Sequence, residues 1–303
     1  MGVKKVFVII VTYKGQLWYD HCFTSLRYSV TPVQTVVVDN ASKDGTVKYI
    51  KDIYPEIHLI ASDKNLGFGQ ANNKGIRYAL DNGADYILLL NQDAWIKTDT
   101  IGKLIDIHVN NPQYGILSPI HLNADEANVE KLLLNRLDDF RVTDARLFDD
   151  MYFDRLSDVY ETKYVNAASW FIPRETIEKI GGFDPIFFHY GEDDNYLNRV
   201  FYHGYKVGIC PRLKIVHDND RPRPLYDARE QEVLLYIKYT NVNTNYNYRN
   251  ELLNSFQKMV TNWLKLRFKR ANTWKNQFRF LMTNSKALKE STRRNRLKAA
   301  NWL

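Results

Sequence analysis

Val6 to Val11 (VFVIIV) is apolar at every position and mostly β-branched, yet far too short to cross a membrane. A strand with no polar alternation has to be covered on both faces, which places it at the centre of a sheet with helices on either side. The same unit then recurs. Gln34 to Val38, Ile57 to Ala61 and Tyr86 to Leu90 read as further strands. Helices are expected over Leu17 to Ser29, from near Asp44 to before Pro55, over Gln70 to Asp81 and over Asp99 to Val109. Ser42 is placed to cap the second of these helices, and Asn110-Asn111-Pro112 stops the fourth. Four strand-then-helix units predict an α/β fold with a mostly parallel central sheet flanked by helices.

Polar residues follow each strand: Thr12 and Tyr13, Asp39 and Asn40, Asp63 and Asn65, Asn91 and Asp93. Open α/β sheets bind ligands at that edge. Beyond it, Asn123 to Glu161 is acidic and irregular, and reads as an insertion or a rim, with LLLNRLDDF as its helical stretch. Tyr164 to Ile172, Tyr205 to Ile209 and Leu213 to Val216 read as strands. Arg174 to Ile180, Asp193 to His203 and Tyr226 to about Asn245 read as helices.

Several function classes drop out early. Cys22 and Cys210 have no paired spacing, which argues against a disulfide framework or a thiolate zinc site. No run approaches eighteen apolar residues, so no spanning helix is expected. Tyr13, Lys14 and Gln16 break the N-terminal apolar run, so it reads as a strand rather than an export signal, and a cytoplasmic location is the default. The net charge of +7 is uneven: Thr261 to Leu303 holds twelve Lys or Arg against Glu290, a net of +11, leaving −4 for the rest. The composition shift near residue 250 divides a body, 1–250, from a basic, aromatic-rich helical C-terminal region, 251–303. Within the body, 1–118 holds the four strand-then-helix units and 119–225 the less regular remainder. The tail interleaves Trp263, Leu264, Leu266 and Phe268 with Lys265, Arg267, Lys269 and Arg270. That pattern suits either an interfacial helix on anionic lipid or helices packed on the body or on a second subunit. No nucleic-acid motif accompanies it.

Three constellations carry candidate chemistry. Asn91-Gln92-Asp93 ends an apolar strand, where a carboxylate can hold a divalent cation beside phosphate oxygens; alone it is also an ordinary polar turn. Glu192-Asp193-Asp194 can supply a base for a sugar hydroxyl, or simply an acidic first helical turn. Crowding of these carboxylates should raise at least one pKa. His217 can ligate a metal through a neutral imidazole, or satisfy a local hydrogen bond.

Taken in order, VIIVTYKG at 8–15, VVVDNASKDGT at 36–46, DKNLGFGQANNKG at 63–75, YILLLNQDA at 86–94, GGFDPIFFHYGEDDNYLNR at 181–199 and His217 resemble the inverting family 2 glycosyltransferases, in particular their rhamnosyltransferase-like and galactofuranosyltransferase-like branches. The resemblance implies a GT-A type nucleotide-diphospho-sugar transferase fold, with 1–118 as its nucleotide-binding half, 119–225 as its acceptor-side half and the basic helical region as a C-terminal appendage. It implies that Thr12, Tyr13, Asp39, Asn65, Gly67, Gly69, Asn72 and Asn91 surround the nucleotide, with Asp39 reading the pyrimidine. Asp93 and His217 would hold Mg²⁺ or Mn²⁺. Asp193 would be the general base, with Glu192 holding the acceptor or orienting the base. Asn91 stands in place of the first aspartate of the family's D-x-D signature, and Asn195 in place of a second aspartate. Trp170 is expected either to stack on a sugar or to be a core residue.

The reaction so implied is metal-assisted single displacement, moving a hexosyl or deoxyhexosyl group from a UDP- or dTDP-sugar to a glycan or lipid-linked glycan. Peripheral contact with the inner face of the membrane through 259–303 and a homo-oligomer fit this reading. A nucleotidyltransferase would want a Gly-rich phosphate loop with Arg and Lys near the first strand, which is missing. A scaffold with a decayed site would have no need to keep Asp39, Asp93, Asp193 and His217 together.

Overall fold

The computed structural model describes residues 4–131, 133–134, 146–219 and 228–303. Strands β1 (Val6–Thr12), β2 (Val33–Asp39), β3 (His58–Ala61) and β4 (Tyr86–Leu90) lie in the order β3-β2-β1-β4, all parallel. Helices α1 (Gln16–Arg27), α2 (Thr46–Ile53) and α3 (Gly67–Asp81) make the crossovers. The period of two along β1 divides its uniformly apolar run between two cores. Val6, Val8 and Ile10 pack with Tyr19, Cys22, Phe23 and Leu26 of α1. Phe7 and Ile9 pack with Ile76 and Ala79 of α3. Ser42 does not cap α2. Asp44 Oδ1 instead accepts from both the N–H (3.2 Å) and the hydroxyl (2.6 Å) of Thr46, and Ser42 Oγ accepts from the Lys14 N–H at 3.0 Å.

The second half comprises β5 (Ala94–Ile96), α4 (Thr100–Asn110), β6 (Tyr114–Leu122), α5 (Leu147–Tyr152), β7 (Tyr160–Glu161), β8 (Ser169–Pro173), α6 (Arg174–Ile180), α7 (Glu192–Tyr202) and β9 (Lys206–His217). The sheet continues β4-β8-β6-β9-β5, with β7 beside β9. Strand β8 runs antiparallel to both neighbours, whereas β6 and β9 are parallel to each other. Neither β5 nor β6 was apparent in the sequence, since Gly115, Ser118 and Pro119 blur the pattern of β6. The two short strands expected at Tyr205 to Val216 are one strand, bulged where the partner of β6 jumps from Cys210 to Lys214. Pro211 lies inside that bulge, where its missing N–H is tolerated. The strand expected from Tyr164 begins only at Ser169, and the residues before it form buried, non-strand chain. The LLLNRLDDF stretch lies largely outside the described residues, as does the start of the helix expected from Tyr226.

Helices α8 (Ala228–Thr240), α9 (Tyr248–Leu264) and α10 (Phe268–Asn295) close the chain. The boundary near residue 250 therefore falls in the first turn of α9. Tyr239, Phe280, Leu281 and Leu288 give these helices a small core of their own. They are also stitched to the body: Ser291 Oγ and Asn295 Nδ2 donate to Asp184 Oδ2 at 2.5 and 2.7 Å. Gly182 N–H donates to the Asn301 carbonyl, and Asn73 Nδ2 to the Trp302 carbonyl. The far end of the hairpin, at Leu266, leaves Trp263, Leu264, Leu266 and Phe268 exposed.

Candidate active site

Three loops meet at the carboxyl edge of the parallel strands. On the β1–β2 side, Thr12 Oγ1 donates to Asp39 Oδ1 at 3.1 Å and Ser42 N–H donates to Asp39 Oδ2 at 2.9 Å. Asp39 is almost wholly buried, but each oxygen keeps a second lone pair. Asn40 clamps the next loop onto β2, accepting from Leu66 N–H at 2.7 Å and donating to the Gly67 carbonyl at 3.2 Å. Asn65 Oδ1 accepts from Gly67 N–H, and Asn65 itself is exposed. Gln92 joins β4 to β1, accepting from Tyr13 N–H at 2.9 Å and donating to the Tyr13 carbonyl at 3.3 Å. A Cβ on Gly15 would lie 2.2 Å from the Gln92 amide oxygen, so glycine is what admits this side chain.

His217, at the end of β9, is paired with the turn after β4. Its Nε2 lies 3.5 Å from Asp93 Oδ1 and 3.4 Å from Asn91 Nδ2. The antiparallel register of Ala94 with His217 sets this meeting across 123 residues of chain. On the other side of the ring, Nδ1 lies 3.3 Å from Glu130 Oε2. Burial alone would lower the His217 pKa, but the carboxylates of Asp93 and Glu130 push it up to about 9. Burial would raise Glu130, yet His121 and His217 hold it well below the usual carboxylate range. Asp93 Oδ1 and His217 Nε2, 3.5 Å apart, lie closer together than two ~2.1 Å metal bonds laid end to end, so a divalent ion can take the place of the proton between them. The carboxylate suits Mg²⁺ or Mn²⁺, and the imidazole beside it favours Mn²⁺ of the two.

The acidic turn stands opposite. Tyr190 and Gly191 are both left-handed (φ 70° and 87°), turning the chain sharply into α7. Asp193 Oδ2 accepts from Ala167 N–H at 2.9 Å. Glu192 is buried, and its Oε2 has no hydrogen-bond partner among the described residues. Burial first, and then the charges of Asp193 and Asp194, raise its pKa to about 8. Of the crowded carboxylates it is Glu192 that keeps its proton near neutral pH. Asn195 is buried and ties α7 to α8 through Thr240 Oγ1 at 3.2 Å.

One short segment joins these parts. Asn166 Nδ2 donates to Glu130 Oε2 at 3.4 Å, Ala167 N–H to Asp193, and the Ala168 carbonyl accepts from Asn91 N–H at 3.0 Å. Three consecutive residues thus form a floor between the Asp93–His217 pair and the Asp193 carboxylate.

A family model described as Glycosyl transferase family 2 matches residues 7–180, more than half of the chain. This chain belongs to that family. It is 26% identical over 215 residues to the dTDP-rhamnosyl transferase RfbF of Shigella flexneri, covering 71% of this chain and 69% of that one. It is 24% identical to the N-acetylglucosaminyl-diphospho-decaprenol L-rhamnosyltransferase of Mycobacterium tuberculosis, covering 69% and 75%. Among solved structures, Staphylococcus aureus TarS 1–349 superposes with a TM-score of 0.60 over 96% of this chain and 88% of that one, at 14% identity. The mannosyltransferase PcManGT of Pyrobaculum calidifontis, solved with GDP-Man and Mn²⁺, gives 0.55 over 78% and 61%, at 20% identity. The fold is the GT-A type, and the chain is a glycosyltransferase.

In this family 2 enzyme, Thr12, Tyr13, Asp39 and Asn91 end or directly follow β1, β2 and β4, and Asn65 lies in the loop after β3. Asn72, Gly67 and Gly69 make contacts within the protein. Asn72 is buried and donates to the Phe68 carbonyl of its own helix. The close approach permitted by Gly67 and Gly69 is to the segment before α7: an added Cβ would lie 2.0 Å from the Phe188 carbonyl oxygen and 2.8 Å from Phe183 Cβ, respectively. Trp170 is fully buried, stacks on Phe183 and donates to the Val165 carbonyl at 3.3 Å. Sequence reasoning placed Asn40 and Gln92 at the strand ends without assigning them a role, and missed His121, Glu130 and Asn166, which carry no local signal.

Proposed function

We propose that the enzyme moves a deoxyhexosyl group, rhamnosyl foremost, from a dTDP- or UDP-sugar to a hydroxyl of a glycan or lipid-linked glycan, with inversion. The names of the relatives support the donor class. The observation that supports the mechanism is the run Asn166–Ala168, whose hydrogen bonds link Glu130, beside His217, to Asp193 and to Asn91.

Asp93 and His217 would hold the ion, and Asn91 would accompany them toward the ribose. A bound Mg²⁺ or Mn²⁺ supplies charge neutralisation to the departing diphosphate. Asp193, oriented by Ala167 N–H, removes the acceptor O–H proton while that oxygen forms its bond to the anomeric carbon. The anomeric C–O bond to the diphosphate breaks on the opposite face, and its electron pair leaves with the nucleoside diphosphate. Glu192, protonated, donates a hydrogen bond to the acceptor. Incubation with dTDP-rhamnose, UDP-sugars and Mn²⁺, followed by NMR of the product, tests this. The expected product has the anomeric configuration opposite to the donor's, and Asp193→Asn abolishes transfer while dTDP still binds. Retained configuration, or full transfer by Asp193→Asn, would overturn the assignment.

A lipid-linked acceptor fits a catalytic domain docked at the cytoplasmic face of a membrane. Among the described residues no helix is long and apolar enough to cross one. The α9–α10 turn supports surface docking instead: exposed Trp263, Leu264, Leu266 and Phe268 adjoin Lys265, Arg267, Lys269 and Arg270, and a hollow of about 350 Å³ opens between Val260, Trp263, Phe268 and Lys275. Apolar groups ringed by cations match anionic lipid. Sedimentation with phosphatidylglycerol vesicles should exceed that with phosphatidylcholine alone, and the Trp263→Ser, Leu266→Ser, Phe268→Ser triple variant should lose it. Equal sedimentation, or a dimer that the triple variant dissolves, would assign the surface to a second copy instead.

A further inference from the structure

Glu130 takes no part in the reaction just described, yet it is 4% exposed and sits at the centre of a converging polar cluster. Its Oε2 lies 3.3 Å from His217 Nδ1, 3.3 Å from His121 Nδ1 and 3.4 Å from Asn166 Nδ2, while Oε1 accepts from Asn219 Nδ2 at 3.2 Å. Four nitrogens around one buried carboxylate make a built site, not an accidental contact.

The backbone delivers Glu130 there. Leu122 pairs with Val129, Asn123 N–H donates to the Asn128 carbonyl, and Glu130 N–H donates to the His121 carbonyl at 2.8 Å. This small turn off the end of β6 lays Glu130 back against His121. His121 is itself braced by Ser118 Oγ, 3.1 Å from Nε2, and its ring meets His217 edge to face at 5.9 Å.

The consequence lies in how His217 is divided. One ring nitrogen faces Glu130 and the other faces Asp93. The negative charge of a buried carboxylate 3.3 Å from Nδ1 favours a proton on that nitrogen, which leaves Nε2 as the nitrogen presented beside Asp93. We infer that Glu130 is the positioning residue of the metal centre, holding His217 for the ion through its far nitrogen, with His121 and Asn166 holding Glu130 in turn. This inference rests on the reading that Asp93 and His217 ligate the ion.

Mn²⁺ binding to the full chain, followed by electron paramagnetic resonance with dTDP present, tests both separately. Asp93→Ala tests the ligand reading alone; if it leaves Mn²⁺ affinity unchanged, that reading fails. If Asp93→Ala loses the ion, the inference is decided by Glu130. Glu130→Ala should weaken Mn²⁺ at least tenfold, and Glu130→Gln, which keeps an acceptor oxygen of the same shape, about threefold. Circular dichroism checks that each variant folds, and if Glu130→Ala does not, Glu130→Gln decides. Wild-type affinity in the Glu130 variants would overturn the inference. So would a loss in His121→Gln as complete as in Asp93→Ala, because the ion would then sit among His121, Glu130 and His217 themselves.

Discussion

Replacing Glu192 by Gln should make the protein's stability less dependent on pH, in a calculable direction. In the folded chain burial and the neighbouring Asp193 and Asp194 raise the Glu192 pKa from 4.5 to about 8. The unfolded chain therefore gives up this proton first. Below pH 4.5 both states hold it and the burial carries no ionisation penalty. Between 4.5 and about 8 the folded state binds the extra proton, so stability falls by about 1.4 kcal/mol per pH unit, and above 8 the loss levels off. From pH 5 to pH 8 the fall attributable to this group is about 3–4 kcal/mol. Gln has the same shape and no ionisation. Urea unfolding of wild type and Glu192→Gln at pH 5, 6, 7 and 8 should give curves of stability against pH that diverge by that amount, with the variant holding the advantage at pH 8. Asp193→Asn in the wild-type background should narrow the divergence by removing the second largest cause of the shift. Parallel curves for wild type and Glu192→Gln would refute the argument that Glu192 is buried as the neutral acid. The same proton bears on catalysis: turnover should decline as pH rises through about 8 in wild type, and Glu192→Gln, which keeps an N–H donor, should lack that limb.

Gly67→Ala should lose at least about 2 kcal/mol of stability, because the residue has φ 77° and its Cβ would meet the Phe188 carbonyl oxygen at 2.0 Å, a backbone contact that cannot swing away; thermal unfolding measures it, and a loss below 0.5 kcal/mol would show that the two loops are free to separate. Asp184→Ala should cost about 2–3 kcal/mol in urea unfolding, since Ser291 and Asn295 would be left buried without their shared acceptor, and an unchanged midpoint would mean that α10 docks without this contact. Trp170→Ala should destabilise by about 3–5 kcal/mol as a core truncation, with the KM for donor in the surviving folded enzyme near that of wild type; a large rise in KM without loss of stability would restore a sugar-facing role.

Much of residues 1–118 was legible because its information is local. A run such as VFVIIV states its own burial, and each polar residue after a strand end is placed by the strand it follows. Hence Asp39, Asp93 and the order of the first four strand–helix units were apparent from spacing. The GEDD turn was legible as an acidic helix start, but not which of its carboxylates keeps a proton. That depends on burial of the Glu192 side chain, and nothing in three adjacent acids ranks them.

What the sequence by itself determined is therefore the periodic part: a parallel sheet covered on both faces, polar groups at its carboxyl edge, and a basic, aromatic tail. Only the tertiary structure decided which distant groups meet. Glu130 reaches His217 because β6 pairs in parallel with β9 across some ninety residues of chain, and Asp184 reaches Asn295 because the last helix folds back onto the body. Contacts of that kind follow from strand pairing and helix docking, whose energies are summed over whole elements, so no short stretch of sequence near His217 or Asp184 records them.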